Sequence, residues 1–127
     1  MVVLFNFGDT WAPGMVNSAD HRAVGRSAMD AVSDAGNEWI FPEIADLAPW
    51  SARWAAVVGP VMTHAVDVGE QLDKARASLA AHRRYLQVLS PVPVEQQVDE
   101  IVSYATGPKD GFPAAHAVGF ELFTFAG

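Results

Sequence analysis

The chain has no cysteine. That excludes a disulfide framework and any thiolate-held metal, so a metal ion here has to be bound through histidine and carboxylate. Basic residues are few: 8 Lys and Arg stand against 15 Asp and Glu, a formal net charge of −7. This balance argues against nucleic acid, whose phosphates need a cationic surface, and against an anionic membrane surface. No apolar run reaches the length that spans a bilayer, and no basic segment followed by a hydrophobic stretch opens the sequence. Internal repeats and low-complexity tracts are missing as well. These absences fit a cytoplasmic protein.

What is there is a chain of 127 residues, 50% hydrophobic and 18% charged. It is long enough to bury a core and too apolar for disorder, so one α/β domain over residues 1–127 is expected. Val2-Val3-Leu4-Phe5 is a continuous run of strand formers, the pattern of a strand covered on both faces in a parallel sheet. Residues 6–17 have the glycines and Pro13 of a loop, in which Trp11 and Met15 either wall a pocket or cap the core. A helix is expected from Ala19 to Asp34, with Val24, Ala28, Ala31 and Val32 as its apolar stripe and Gly36 past its end. Trp39, Trp50 and Trp54 serve either packing or sugar stacking.

Arg53 to Val58 and Thr63 to Val68 have the composition of two more strands. Asp67 is then placed to cap, or to charge, the first turn of a helix reaching about Leu86. On that helix Leu72, Ala75, Leu79, His82 and Leu86 share a face, which turns His82 toward the core as a hydrogen-bonded packing residue. Pro91 and Pro93 interrupt the chain before a last helix striped by Val94, Val98, Ile101, Val102 and Ala105. Val118 to Phe125 is an alternating, aromatic strand that needs covering. The order of elements predicts an α/β sandwich with a largely parallel sheet.

The stretch with most chemical content is Asn17 to Arg26. Ser18 is a good N-cap for the first helix, and Asp20 puts negative charge in its first turn. The apolar stripe, followed back three and four residues, places His21 on the buried side at the helix N-terminus. There the positive end of the helix dipole favours the neutral, metal-binding imidazole. His21 is thus a candidate zinc ligand or a half-buried, satisfied histidine. Its place after the first strand puts it at the carboxyl end of the sheet, where ligands of such sheets bind.

Asn17-Ser18-Ala19-Asp20-His21-Arg22-Ala23-Val24-Gly25-Arg26, continued by Ser27 to Val32 and by Phe41-Pro42-Glu43-Ile44, resembles the second metal motif of the PIG-L/LmbE family. The likeness extends to His64-Ala65-Val66-Asp67-Val68, Leu72-Asp73-Lys74-Ala75 and His82-Arg83. Members are zinc-dependent deacetylases of N-acylated amino sugars and related small molecules, with a Rossmann-like fold. Their opening His-Pro-Asp-Asp-Glu motif, which supplies two zinc ligands and the general base, has no counterpart in this sequence. The resemblance therefore implies the C-terminal half of such a domain, with His21 as the third metal ligand. It implies a fragment or subunit inactive by itself, completed by a missing N-terminal segment; the alternative is a non-catalytic remnant of that fold that serves as an oligomer, pairing with a second copy of the chain, or as a binding module.

The resemblance also bears on catalytic roles. Zinc lowers the pKa of a bound water and polarises the acyl oxygen, while a carboxylate takes the proton. The position three residues before the ligand is often a second histidine that protonates the leaving amine, and here it is Ser18. A serine hydroxyl donates a hydrogen bond but is no acid at neutral pH, which leaves His64 as the candidate acid. Asp20 would orient neighbouring groups, or act as a plain first-turn acid.

Overall fold

The apolar run at the start of the sequence forms strand β1 (Val2–Phe5). From it the chain passes through a short hairpin, β2 (Thr10–Ala12) and β3 (Met15–Val16), into helix α1 (Ala19–Asp34). After a 3-10 turn at Pro42–Ile44 it returns as β4 (Trp54–Val58), parallel to β1 with Val2 opposite Ala55 and Phe5 opposite Val58. A helix joining two parallel strands is the βαβ arrangement that a continuous apolar strand and a following amphipathic helix favour. The second half adds β5 (His64–Asp67), α2 (Leu72–Ala80), α3 (Arg83–Leu89), α4 (Val94–Ala105) and β6 (Ala117–Thr124).

These elements come from a computed structural model that describes residues 1–125. The chain divides into two compact units, one of Met1–His64 with the residues from Phe120 onward, the other of Ala65–Gly119. Strand order through the main sheet is β1-β4-β6-β5. β6 is antiparallel to β4, with Trp54 opposite Thr124 and Val57 opposite Glu121. The expected largely parallel sheet is therefore corrected to a mixed one in which β1–β4 is the parallel pair. The expected cover on both faces of β1 is corrected as well: Val3 and Phe5 are 64% and 68% exposed, since an apolar run reports strand propensity and not the cover or the direction of its neighbours. The aromatic strand β6 gains its cover by lying between two others.

In the first unit the strand interior is small: Ala52, Ala55, Ala56 and Val57 are buried. α1 begins and ends where expected, but its inward face is rotated. Val24 is 65% exposed, Ala31 is exposed, and the buried residue is Gly25. Phe7 accounts for this. A Cβ at position 25 would stand 2.6 Å from Phe7 Cγ and 2.7 Å from its Cδ1, so the helix approaches the loop through its one residue without a side chain. Trp39 and Trp50 are 84% and 52% exposed, which corrects the packing role for that pair.

The second unit is built on Leu86, Val94, Val98 and Val102, with Leu72, Ala75 and Leu79 against them. Here the long helix is two: after Ala80 the backbone turns, and His82, at φ −83° and ψ 31°, occupies the N-cap of α3. The break takes His82 off the common face and leaves it exposed, a correction to its expected core position. On α4 Ile101 is 42% exposed and Gln97 is buried instead. Gln97 Nε2 donates to the Leu86 carbonyl at 3.1 Å and the Val92 carbonyl at 2.6 Å, tying down the turn that Pro91 and Pro93 impose. Asp67 Oδ1 accepts from the Gly69 N–H at 2.9 Å and opens a 3-10 turn ahead of α2.

Two outcomes follow. Gly25→Ala adds about 1 kcal/mol of helix propensity but overpacks Phe7 at a cost of about 1–3 kcal/mol; denaturant melts are expected to show net destabilisation, and a stabilised variant would contradict the close approach. Arg83 donates to Glu95 at 2.7 Å and holds its carboxyl below the usual carboxylate range. A depressed folded-state pKa means stability present above the ordinary Glu value and lost as pH falls through the folded one. Stability curves of the wild type and Glu95→Gln are therefore expected to differ at neutral pH and to converge in acid.

Candidate functional site

Two asparagines build the mouth of β1. Asn17, only 3% exposed, donates through Nδ2 to the carbonyls of Asn6 at 2.8 Å and Gly8 at 3.0 Å. Its backbone N–H reaches the Asp9 carbonyl at 2.9 Å, and its Oδ1 accepts from the Ser18 N–H at 2.9 Å. Asn6, also buried, donates to the Thr10 carbonyl at 2.7 Å and accepts from the Gly8 N–H at 2.8 Å. These contacts replace the sheet partners that the backbone loses where it leaves β1. The β2–β3 hairpin closes the loop through Pro13-Gly14, with Gly14 at φ 76°, a left-handed conformation glycine adopts freely. Residues 6–17 were expected to be loop throughout; the ladder of Thr10 with Val16 and Ala12 with Met15 is the part pattern reasoning missed.

Directly after this clamp α1 begins. Ser18 sits at the N-cap position in extended conformation, but its side chain makes no capping bond. It lies beside Asp20 instead and holds that carboxyl below the usual range, helped by the backbone amides of the first turn. Of the orphan donors at the helix start the Ser18 N–H is served by Asn17, and the capping bond that the sequence predicts from the Ser18 side chain is not made. Arg22 turns back to the Asn17 carbonyl, and Arg26 lies 3.5 Å from Asp9 in an exposed ion pair.

One turn into α1, His21 is half-buried between two aromatic rings. Phe5, the last residue of β1, stacks on it at 6.4 Å between centroids and 14° between planes. Trp11 from the hairpin lies 5.9 Å away, tilted by 49°. The ring nitrogen Nδ1 is enclosed and has no hydrogen-bond partner. Native structures rarely leave such an atom without a partner. The sequence contained no signal for Phe5 in this role, since its run reads only as strand.

His64 stands apart from this group. Its ring stacks on Phe120 at 5.9 Å, and its Nδ1 lies 2.9 Å from Thr63 Oγ1. That hydroxyl already accepts from the Leu122 N–H at 3.3 Å, so its own proton is free for the imidazole. Ser18, Asp20 and His21 are neighbours on α1, whereas no hydrogen bond or ion pair among the described residues joins them to His64. As to a metal, His21 offers one donor. The described residues contain no group of three His, Asp or Glu spaced to hold an ion. Two shallow depressions, at Asp67–Gln71 and Ala81–Gln87, contain neither His21 nor His64. No helix among the described residues is long and apolar enough to cross a membrane.

No family model matches the sequence, and no curated protein matches it.

The clamp is open to a direct test. Asn17→Ala strands two carbonyls and one N–H, two of these bonds being only partly buried; at about 1 kcal/mol per group, the low end for stranded polar groups, the expected loss is about 3 kcal/mol. Denaturant melts read the loss, and fluorescence of Trp11 should shift with it. A variant as stable as the wild type would mean that water serves those groups equally well.

Proposed function

We propose that this chain supplies the third metal ligand, His21, to a zinc-dependent amidase of the PIG-L/LmbE type, acting on N-acylated amino sugars or related small molecules in the cytoplasm. The observation that carries the reading is an imidazole with an enclosed, unpartnered nitrogen at the carboxyl end of a parallel strand, inside the Asn17–Arg26 motif. The β1–α1–β4 crossover is the piece of a Rossmann-like layer that would hold such a ligand. Asp20 faces solvent on the same turn, where it would orient groups beside the ligand. His64 would reach the substrate as the acid only from the first position of β5.

Catalytic zinc takes three protein ligands and an open position. On this reading the other ligands and the general base come from a polypeptide bearing the His-Pro-Asp-Asp-Glu motif. Zinc, when held there, supplies an activated water and a polarised acyl oxygen.

The chain alone is expected to bind zinc substoichiometrically and to leave N-acetylglucosamine derivatives intact. Metal analysis and an amide-hydrolysis assay on the purified chain check both points. Residual zinc affinity, read by calorimetry, is expected to vanish in His21→Ala and to persist in His64→Ala. Stoichiometric zinc with turnover would overturn the division of the site between polypeptides. Unchanged zinc affinity in His21→Ala would overturn the ligand assignment.

A further inference from the structure

The main sheet ends in two edges, β5 and β1. β5 carries Asp67 and leads into Glu70 and Asp73, so a like copy approaching there would bring carboxylates together. β1 differs. No charged side chain occurs from Val2 to Gly8, nor in its neighbour from Trp54 to Met62. Its outer edge has no partner strand among the described residues, and on one face Val3 and Phe5 are 64% and 68% exposed. Edge strands in monomeric proteins are guarded by shortness, charge, proline, a bulge or a covering element. β1 is short, at four residues, but has no charge, proline or bulge.

We propose that β1 pairs antiparallel with β1 of a second copy, about a two-fold axis through Leu4. An axis normal to the sheet keeps the faces of the two copies aligned, so residues of the same face must meet. Centring it on Leu4 places Val3 of each copy opposite Phe5 of the other, an aromatic against a β-branched side chain on both sides of the axis. That is a favoured cross-strand combination. Centring on Val3 instead sends Phe5 to Met1, outside the strand. Centring on Phe5 leaves Phe5 against Phe5 as the one pair within the strand, so the Leu4 register is the one that makes two aromatic contacts inside β1. For a chain of net charge −7 it is also the edge where two copies meet without opposed carboxylates. This pairing goes beyond the metal reading and does not depend on it.

Sedimentation of the purified, metal-free chain tests the pairing. The expected species at tens of micromolar has twice the 13.6 kDa chain mass. Val3→Lys, at an exposed position, is expected to return it to a monomer with unchanged far-UV circular dichroism. The cysteine-free sequence allows a second test should that variant fold poorly. Opposed residues of an antiparallel pair lie about 4.5–5.5 Å apart at Cα, within disulfide reach. Leu4→Cys is therefore expected to oxidise to a covalent dimer, and Val66→Cys on β5 to remain reduced. A wild-type monomer at all concentrations, a dimer that survives Val3→Lys in folded protein, or a Leu4→Cys thiol that stays reduced would each overturn the proposal.

Discussion

The first unit depends on one buried amide. Where β1 ends, the backbone has to leave the sheet, turn through a hairpin and start a helix, all within the 12 residues from Asn6 to Asn17. Asn17 makes that possible by serving two carbonyls and one N–H with a single side chain. A buried polar network of this kind stabilises only when every member is satisfied, and here each polar atom of the Asn17 side chain is used. The consequence reaches the candidate site directly, since the next residue opens α1 and His21 follows three positions later. The imidazole owes its position to the clamp, and its flanking rings come from the strand before it and the hairpin within it.

The two units hold themselves together differently. In the second, branched aliphatic side chains of α4 meet Leu86 and the inner face of α2, and the buried polar group, Gln97, caps the turn between helices. In the first, the buried strand residues are mostly alanine, and α1 approaches through a glycine. Small residues bring backbones close but remove little apolar area from water. That leaves Phe5, Trp11 and Val3 at or near the surface, Phe5 and Trp11 against His21 and Val3 on the edge strand.

Element positions were legible where periodicity is strong. The bounds of α1 at Ala19 and Asp34 follow from its polar N-terminal residues and the glycine beyond its end, and α4 follows from its valines. Its inward face was not legible, because the stripe rule ranks Val24 above Gly25 and cannot register that Phe7 needs the space. The α2–α3 break escaped for a related reason: Leu72, Ala75, Leu79 and Leu86 keep helical spacing across it, and no glycine or proline marks His82 as the turning point. Sheet direction was hidden, since the antiparallel pairing of β4 with β6 joins segments far apart in sequence. Of the candidate site, Ser18, Asp20 and His21 fell together because they share one turn. The contribution of Phe5, Asn6 and Asn17 arises only when the chain folds back on itself.

The central claim is that His21, alone among the four histidines of the described residues, has a buried ring nitrogen without a hydrogen-bond partner. Long-range proton–nitrogen spectra of the imidazoles during zinc titration test it most directly. The account predicts that the ring nitrogens of His21 move first, with His64, His82 and His116 following only at higher metal concentration. A His21 signal that stays fixed while any of the other three responds would contradict it.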